Sequence, residues 1–170
     1  MKKILVWLDG TDFRRQIIPH LEAFFCPTEH ELIFLRVARS VHGLVPEPPQ
    51  DATTEFREPG YRSEQDAQRA RHPIFEDQVR QSAEAGLEAE LRKIIRPLKD
   101  AGYKASIYIR FSNEPSKAIL KCVDELKVDM VAMTTHGRTG LTRLIFGNVA
   151  EKVLHKLSVP VMLVRPVERG

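Results

Sequence analysis

The chain is 170 residues long, with 26 Lys and Arg against 23 Asp and Glu, a formal charge of +3. So small a surplus excludes a polybasic nucleic-acid binder, and the length suits one domain that buries its own core. Hydrophobic residues at 42% and charged residues at 29% exclude a disordered chain, and no apolar run reaches the ~20 residues of a membrane-spanning helix. Two cysteines, Cys26 and Cys122, are too few for a disulfide scaffold or a zinc site. The start, Met1-Lys2-Lys3-Ile4, shares only its charges with a signal peptide, because Asp9 ends the apolar stretch. These features predict a soluble, cytoplasmic protein with neither nucleic acid nor membrane as a partner. The charge is unevenly placed: the last 37 residues carry six basic and two acidic groups, and the rest nearly cancels.

In chain order, Lys3–Leu8 (KILVWL) is a short apolar run that stops at Asp9-Gly10-Thr11, as a buried parallel strand does. Phe13, Ile17, Leu21 and Phe24 then recur at helical spacing, with Thr11 or Asp12 as N-cap and Pro19 as a kink or break. Glu31–Val37 is a second buried strand. Residues 38–75 hold five of the eleven prolines and few apolar groups, which predicts a long polar loop. A helical period returns at Phe75, Val79, Ala83, Leu87, Leu91, Ile94 and Leu98, and Pro97 with Gly102 is expected to end it.

Lys104–Phe111 (KASIYIRF) alternates as a third strand, with Ala105, Ile107 and Ile109 on one face. Ser112 or Asn113, with Pro115, opens a helix that carries Ala118, Ile119, Cys122, Val123 and Leu126. Val128–Met133 is strand four. A loop over 134–146 and a helix from 147 to 157 follow, with Val149, Val153 and Leu157 inward. Val159–Val164 is strand five, which Pro160 assigns to a strand start or sheet edge. Strands alternating with helices predict an α/β fold: one doubly wound open sheet of five parallel strands, helices on both faces. In the order 3-2-1-4-5, the ends of strands one and four flank the switch crevice, where such sheets bind ligands.

No phosphate loop of the G-x-x-x-x-G-K-[ST] type is present, no G-x-G-x-x-G follows strand one, and no G-x-S-x-G elbow occurs. The informative stretch is Met133-Thr134-Thr135-His136-Gly137-Arg138-Thr139-Gly140, followed by Gly147-Asn148-Val149. Glycines and small hydroxylated residues after a strand let backbone amides face an anion, and Gly147 opens a helix whose N–H groups suit phosphate. Arg138 and Arg143 supply charge. An ordinary turn, with Gly137 and Gly140 in left-handed backbone positions, accounts for the same spacing. His136 has no carboxylate or nucleophile beside it in sequence and reads as a hydrogen-bonding loop residue rather than a catalyst. Trp7 and Cys122 read as core. Nothing near Cys26 in sequence predicts a low thiol pKa.

Taken together, Ile4–Thr11, Leu35-Arg36-Val37, Ser112-Asn113-Glu114-Pro115, Thr135–Gly140, Phe146–Val153 and Val159–Pro166 resemble the universal stress protein family, the UspA-like domain. The order and spacing of these pieces carry the resemblance over the whole chain except 38–75. It implies one domain over 1–170, an open parallel sheet, often a homodimer and, in one branch, bound ATP or AMP. That branch carries G-x-x-G, nine residues, then G-[ST]. Gly137 and Gly147 match its second and third glycines; Thr134 stands at the first, and Asn148 at the Ser or Thr. By resemblance Asp9 lies near ribose or adenine, with Gly10 and Thr11 beside it, and Val37 frames the base. Met133, Thr134, Thr135, His136, Gly137, Arg138, Gly140, Gly147, Asn148 and Val149 complete the expected site. Magnesium is expected only with ATP, and the 159–164 edge is the expected dimer contact. No residue is assigned to catalysis, and weak ATP hydrolysis is the most that is expected. An interaction protein of the same fold without a nucleotide, or less readily a slow ATPase, is the alternative.

Overall fold

The computed structural model describes residues 1–9, 16–39, 73–134 and 148–165. Five strands, β1 (Lys2–Leu8), β2 (His30–Ala38), β3 (Lys104–Phe111), β4 (Met130–Thr134) and β5 (Val161–Val164), form one sheet. All four pairings are parallel, and the order is β3-β2-β1-β4-β5. The helices are α1 (Ile18–Phe24), α2 (Pro73–Asp100), α3 (Pro115–Leu126) and α4 (Asn148–Leu154). The chain therefore winds outward from β1 to β3, returns to the other side of β1, and winds outward again through β4 and β5. That reversal opens a crevice between the carboxyl ends of β1 and β4.

The period-two pleat divides the core into two layers. On the first face Ile4, Val6 and Leu8 of β1 pack with Leu32 and Phe34 of β2, under Leu21 of α1 and Leu91, Ile95 and Leu98 of α2. On the second, Leu5 and Trp7 pack with Ile33, Leu35 and Val37, under Ile119 and Val123 of α3 and Ala150 and Val153 of α4. Burial on both sides explains why β1, β2 and β4 read as nearly unbroken apolar runs. Ala105 is buried on the first face, and Ile107 and Ile109 pack against it, as their alternation requires.

Several boundaries differ from the sequence reading. Pro19 lies in the first turn of α1, where its missing N–H costs no helical bond, so it starts the helix rather than kinking it. The chain becomes extended at Phe25, whose ring takes the inward place expected of Phe24; Phe24 is 70% exposed. The expected cap residues Thr11 and Asp12, and Phe13, lie outside the described residues. The polar stretch is shorter at both ends than 38–75, because β2 keeps Ala38 and α2 begins at Pro73.

Pro97 does not end α2, which runs on to Asp100. It lies on the exposed face, where solvent can satisfy the carbonyl one turn earlier that its ring nitrogen cannot reach. The stop is Gly102, at φ +91, with Gly102 N–H donating to the Lys99 carbonyl and Tyr103 N–H to that of Leu98. This 5→2 and 6→1 pair is a Schellman closure, and Leu98 and Tyr103 make its apolar contact in the first layer. At the end of α3, Lys127 takes the same left-handed role at φ 50, and Val128 N–H donates to the Val123 carbonyl. Neither Ser112 nor Asn113 caps α3: the N-cap is Glu114, and Ser112 Oγ accepts from the Glu114 N–H, shaping the turn before it. Strand β4 begins two residues later than expected because Val128 belongs to that closure, and it extends through Thr134. The last helix is shorter than its 147–157 reading, although Val149 and Leu157 still pack on the second layer.

Candidate functional site

The sheet register assembles the crevice. Leu8 pairs with Arg36, so Asp9, the residue after β1, comes level with Val37 of β2. Trp7 pairs with Leu35 on one side and Met133 of β4 on the other. Trp7, Val37 and Met133 are buried in the second layer together with Ala150, two residues into α4. The carboxyl ends of three strands and the start of α4 thus meet on one face, with an apolar floor and a carboxylate at its margin. Asp9 is half-buried at this margin and makes interactions of its own there. Such a surface suits a flat, largely apolar ring whose polar edge meets an acceptor.

Of the expected site residues, the fold brings Asp9, Val37 and Met133 together. Thr134 is placed differently from its reading as the first loop residue. It is the last residue of β4, 2% exposed and paired with Val164. Its side chain alternates with that of Met133 and so belongs to the opposite face. Asn148, the first residue of α4, is exposed, and Val149 is half-buried against the second layer. Gly10, Thr11, Thr135, His136, Gly137, Arg138, Gly140 and Gly147 lie outside the described residues.

Two nearby residues were not assigned to the site by sequence. Arg36, which alternates with Phe34 on the first face, has its Nη1 donating to the Leu8 carbonyl at the end of β1 at 3.2 Å. That bond satisfies a carbonyl at the mouth of the crevice. Trp7, read as core, is indeed core at 7% exposed, yet its Nε1 is a buried donor with no hydrogen-bond partner among the described residues. Counting back by two from Asp9 places Trp7 on the crevice side, a signal already present in the sequence.

The cysteines lie elsewhere. Cys122 is buried in the second layer, and burial pushes its thiol pKa up against the opposing pull of Arg110. Cys26 is exposed, and the Thr28 hydroxyl 3.1 Å from its sulfur lowers its pKa, a partner that sequence reading overlooked. Among the described residues no group of three or more His, Cys, Asp or Glu is placed to hold a metal, and no helix is long and apolar enough to cross a membrane.

The family model described as the universal stress protein family matches residues 1–165. The chain belongs to that family. It is similar to universal stress protein MJ0577 of Methanocaldococcus jannaschii, with 29% identity over 91 residues, or 54% of this chain. The matched stretch spans about half (56%) of that relative's own length. A solved structure of MJ0577 superposes with a TM-score of 0.68 at 23% identity, covering 99% of this chain and 98% of that one. A family member from Arabidopsis thaliana, solved with AMP bound, gives a TM-score of 0.57 at 16% identity over 98% and 93% of the two chains. Another universal stress protein, solved in complex with cAMP, gives 0.56 at 17% identity over 98% of both. At these identities the structures establish the universal stress protein fold.

Proposed function

We propose that this universal stress protein is an adenine-nucleotide-binding regulatory protein of the stress response, one domain over 1–170. The observation that carries the proposal is the placement of Asp9 level with Val37, above Met133, at the crevice between β1 and β4. The base and ribose of ATP or AMP lie there, with Asp9 accepting from hydroxyl or amino groups and Val37 packing on the ring. Gly10, Thr11, Thr135, His136, Gly137, Arg138 and Gly140 surround the ligand, with phosphates toward Arg138 and the Gly147–Val149 segment. Magnesium accompanies ATP alone. Family members that bind AMP and cAMP support the choice of adenine nucleotide. Occupancy biases the 38–75 stretch or the dimer surface, which makes the protein a ligand-controlled switch in the cytoplasm; any ATP hydrolysis is weak. Calorimetric titration with AMP and ATP tests this: saturable binding is expected, and no binding by a properly folded protein overturns it.

A second reading, a homodimeric interaction protein without a nucleotide, is favoured by two observations. Thr134 turns its side chain away from the face of Val37 and Met133, and Asn148 replaces Ser or Thr. Next to the β5 edge, Phe24, Phe25, Met130, Met162 and Val164 line an open groove of about 480 Å³. An unpaired strand edge beside an apolar groove suits a second copy of the chain at residues 159–164. The double variant Thr134→Gly with Asn148→Ser separates the readings: nucleotide binding gained only in that variant supports the second.

A further inference from the structure

Trp7 is the only tryptophan of the chain, and three observations about it converge. It is buried, 7% exposed, in the layer that contains Val37, Met133 and Ala150. Its register partners are Leu35 and Met133, so it forms the row directly beneath Asp9 and Val37 at the carboxyl end of the sheet. Its Nε1 has no hydrogen-bond acceptor among the described residues, although buried indole N–H groups usually have one. Leaving a buried donor unmet is unfavourable, and native proteins rarely keep one without a reason. Phenylalanine or leucine would fill the same apolar row without that penalty. The group is explained if its acceptor arrives with a ligand.

The geometry points to Trp7 as a further ligand-binding residue: its Nε1–H donates to a ring nitrogen of the bound purine. This rests on the nucleotide-binding reading given above and adds to it a donor from the row beneath Asp9 and Val37. Asp9 accepts only, and Val37 and Met133 offer no polar side-chain atom, so the indole supplies what these groups lack. Adenine presents N1, N3 and N7 as unprotonated ring acceptors. The pairing selects a purine that offers such an acceptor, and a base carrying C–H at that position loses it.

A single tryptophan gives a single indole N–H resonance, which makes the test direct. The full chain, labelled with 15N in its indole, is titrated with adenosine and with its 1-deaza, 3-deaza and 7-deaza analogues, each of which replaces one ring nitrogen by C–H. Adenosine is expected to move the indole proton downfield, and one analogue is expected to fail to do so and to bind about tenfold more weakly, the order of one lost hydrogen bond in a closed site. Trp7→Phe is expected to weaken adenosine by a similar factor and to abolish the difference between adenosine and that analogue. Saturable adenosine binding with no indole shift, or with all three analogues equal to adenosine, overturns the role of Trp7 while leaving the nucleotide reading standing. Absence of any adenosine or AMP binding to folded protein overturns both. The resonance and the analogue series decide the question on the unaltered chain even if Trp7→Phe fails to fold.

Discussion

The two faces of the sheet are built from the same alternating strands but are finished differently. The first face, under α1 and α2, is closed by local geometry: the Schellman end of α2, the Leu98–Tyr103 contact, and the Tyr103 hydroxyl donating to the Phe25 carbonyl at 2.7 Å. The second face, under α3 and α4, is equally apolar, but its upper row carries a donor without an acceptor among the described residues and borders a carboxylate. The difference teaches that burial alone does not separate scaffold from site. What marks the second face is that a buried indole N–H lacks an acceptor among the described residues at the carboxyl end of the sheet, where such folds bind ligands.

If the first face is scaffold alone, damage to it should lower stability and leave ligand affinity unchanged. The largest effect is expected from Leu98→Ala. This side chain is fully buried, and its loss should cost about 3 kcal/mol in urea unfolding, with unchanged AMP affinity in the surviving folded fraction. A matching loss of affinity would break the division between the faces.

Tyr103→Phe should cost about 1–2 kcal/mol at neutral pH, because it leaves the Phe25 carbonyl without its donor. Burial, with Glu22 as a lesser contributor, raises the Tyr103 pKa. The neutral phenol is thus the form that the fold favours, and its contribution is complete below about pH 10, the unfolded value. It is lost as pH rises through the folded value. Stability measured from pH 8 to 11 should fall more steeply in the wild type than in Tyr103→Phe.

Smaller effects are expected at Lys127, which closes α3 on the second side, and at the two cysteines. Lys127 holds a left-handed backbone at φ 50, so Lys127→Gly should stabilise by about 0.5–1 kcal/mol on thermal unfolding. Cys26 should react with an alkylating reagent in the folded protein, while Cys122 should react only on unfolding. Because Thr28 lowers the Cys26 pKa, Thr28→Val should raise it, reduce the thiolate fraction near pH 8 and slow alkylation about two- to threefold.

Much of this architecture is legible in the residues themselves. The runs at 3–8, 31–37 and 128–133 announce buried strands because burial on both faces removes the need for polar alternation. The order of strands and helices then leaves few topologies. The misplacements share a cause. Pro19, Phe24 and Pro97 were read by local rule, but their roles depend on where a helix starts, where the chain turns extended, and which side faces solvent. Lys127 gave no sign of a helix stop because lysine rarely adopts that backbone. The juxtaposition of Asp9, Val37 and Met133 is legible from strand ends and resemblance together. Thr134 reads as the start of the loop from sequence but is the last residue of β4, because its pairing with Val164 extends the strand by one residue. That the Trp7 Nε1 lacks a partner among the described residues is not legible in sequence, because periodicity registers the apolar bulk of the side chain and is blind to whether its single N–H has a partner.

The most direct test is calorimetric titration of AMP into the full chain and into Asp9→Asn. The account predicts one saturable site per chain in the wild type, weakened about tenfold when the carboxylate beside the crevice becomes an amide, as loss of a charge-assisted hydrogen bond requires. AMP that does not bind the folded wild type, or that binds Asp9→Asn equally well, would contradict it.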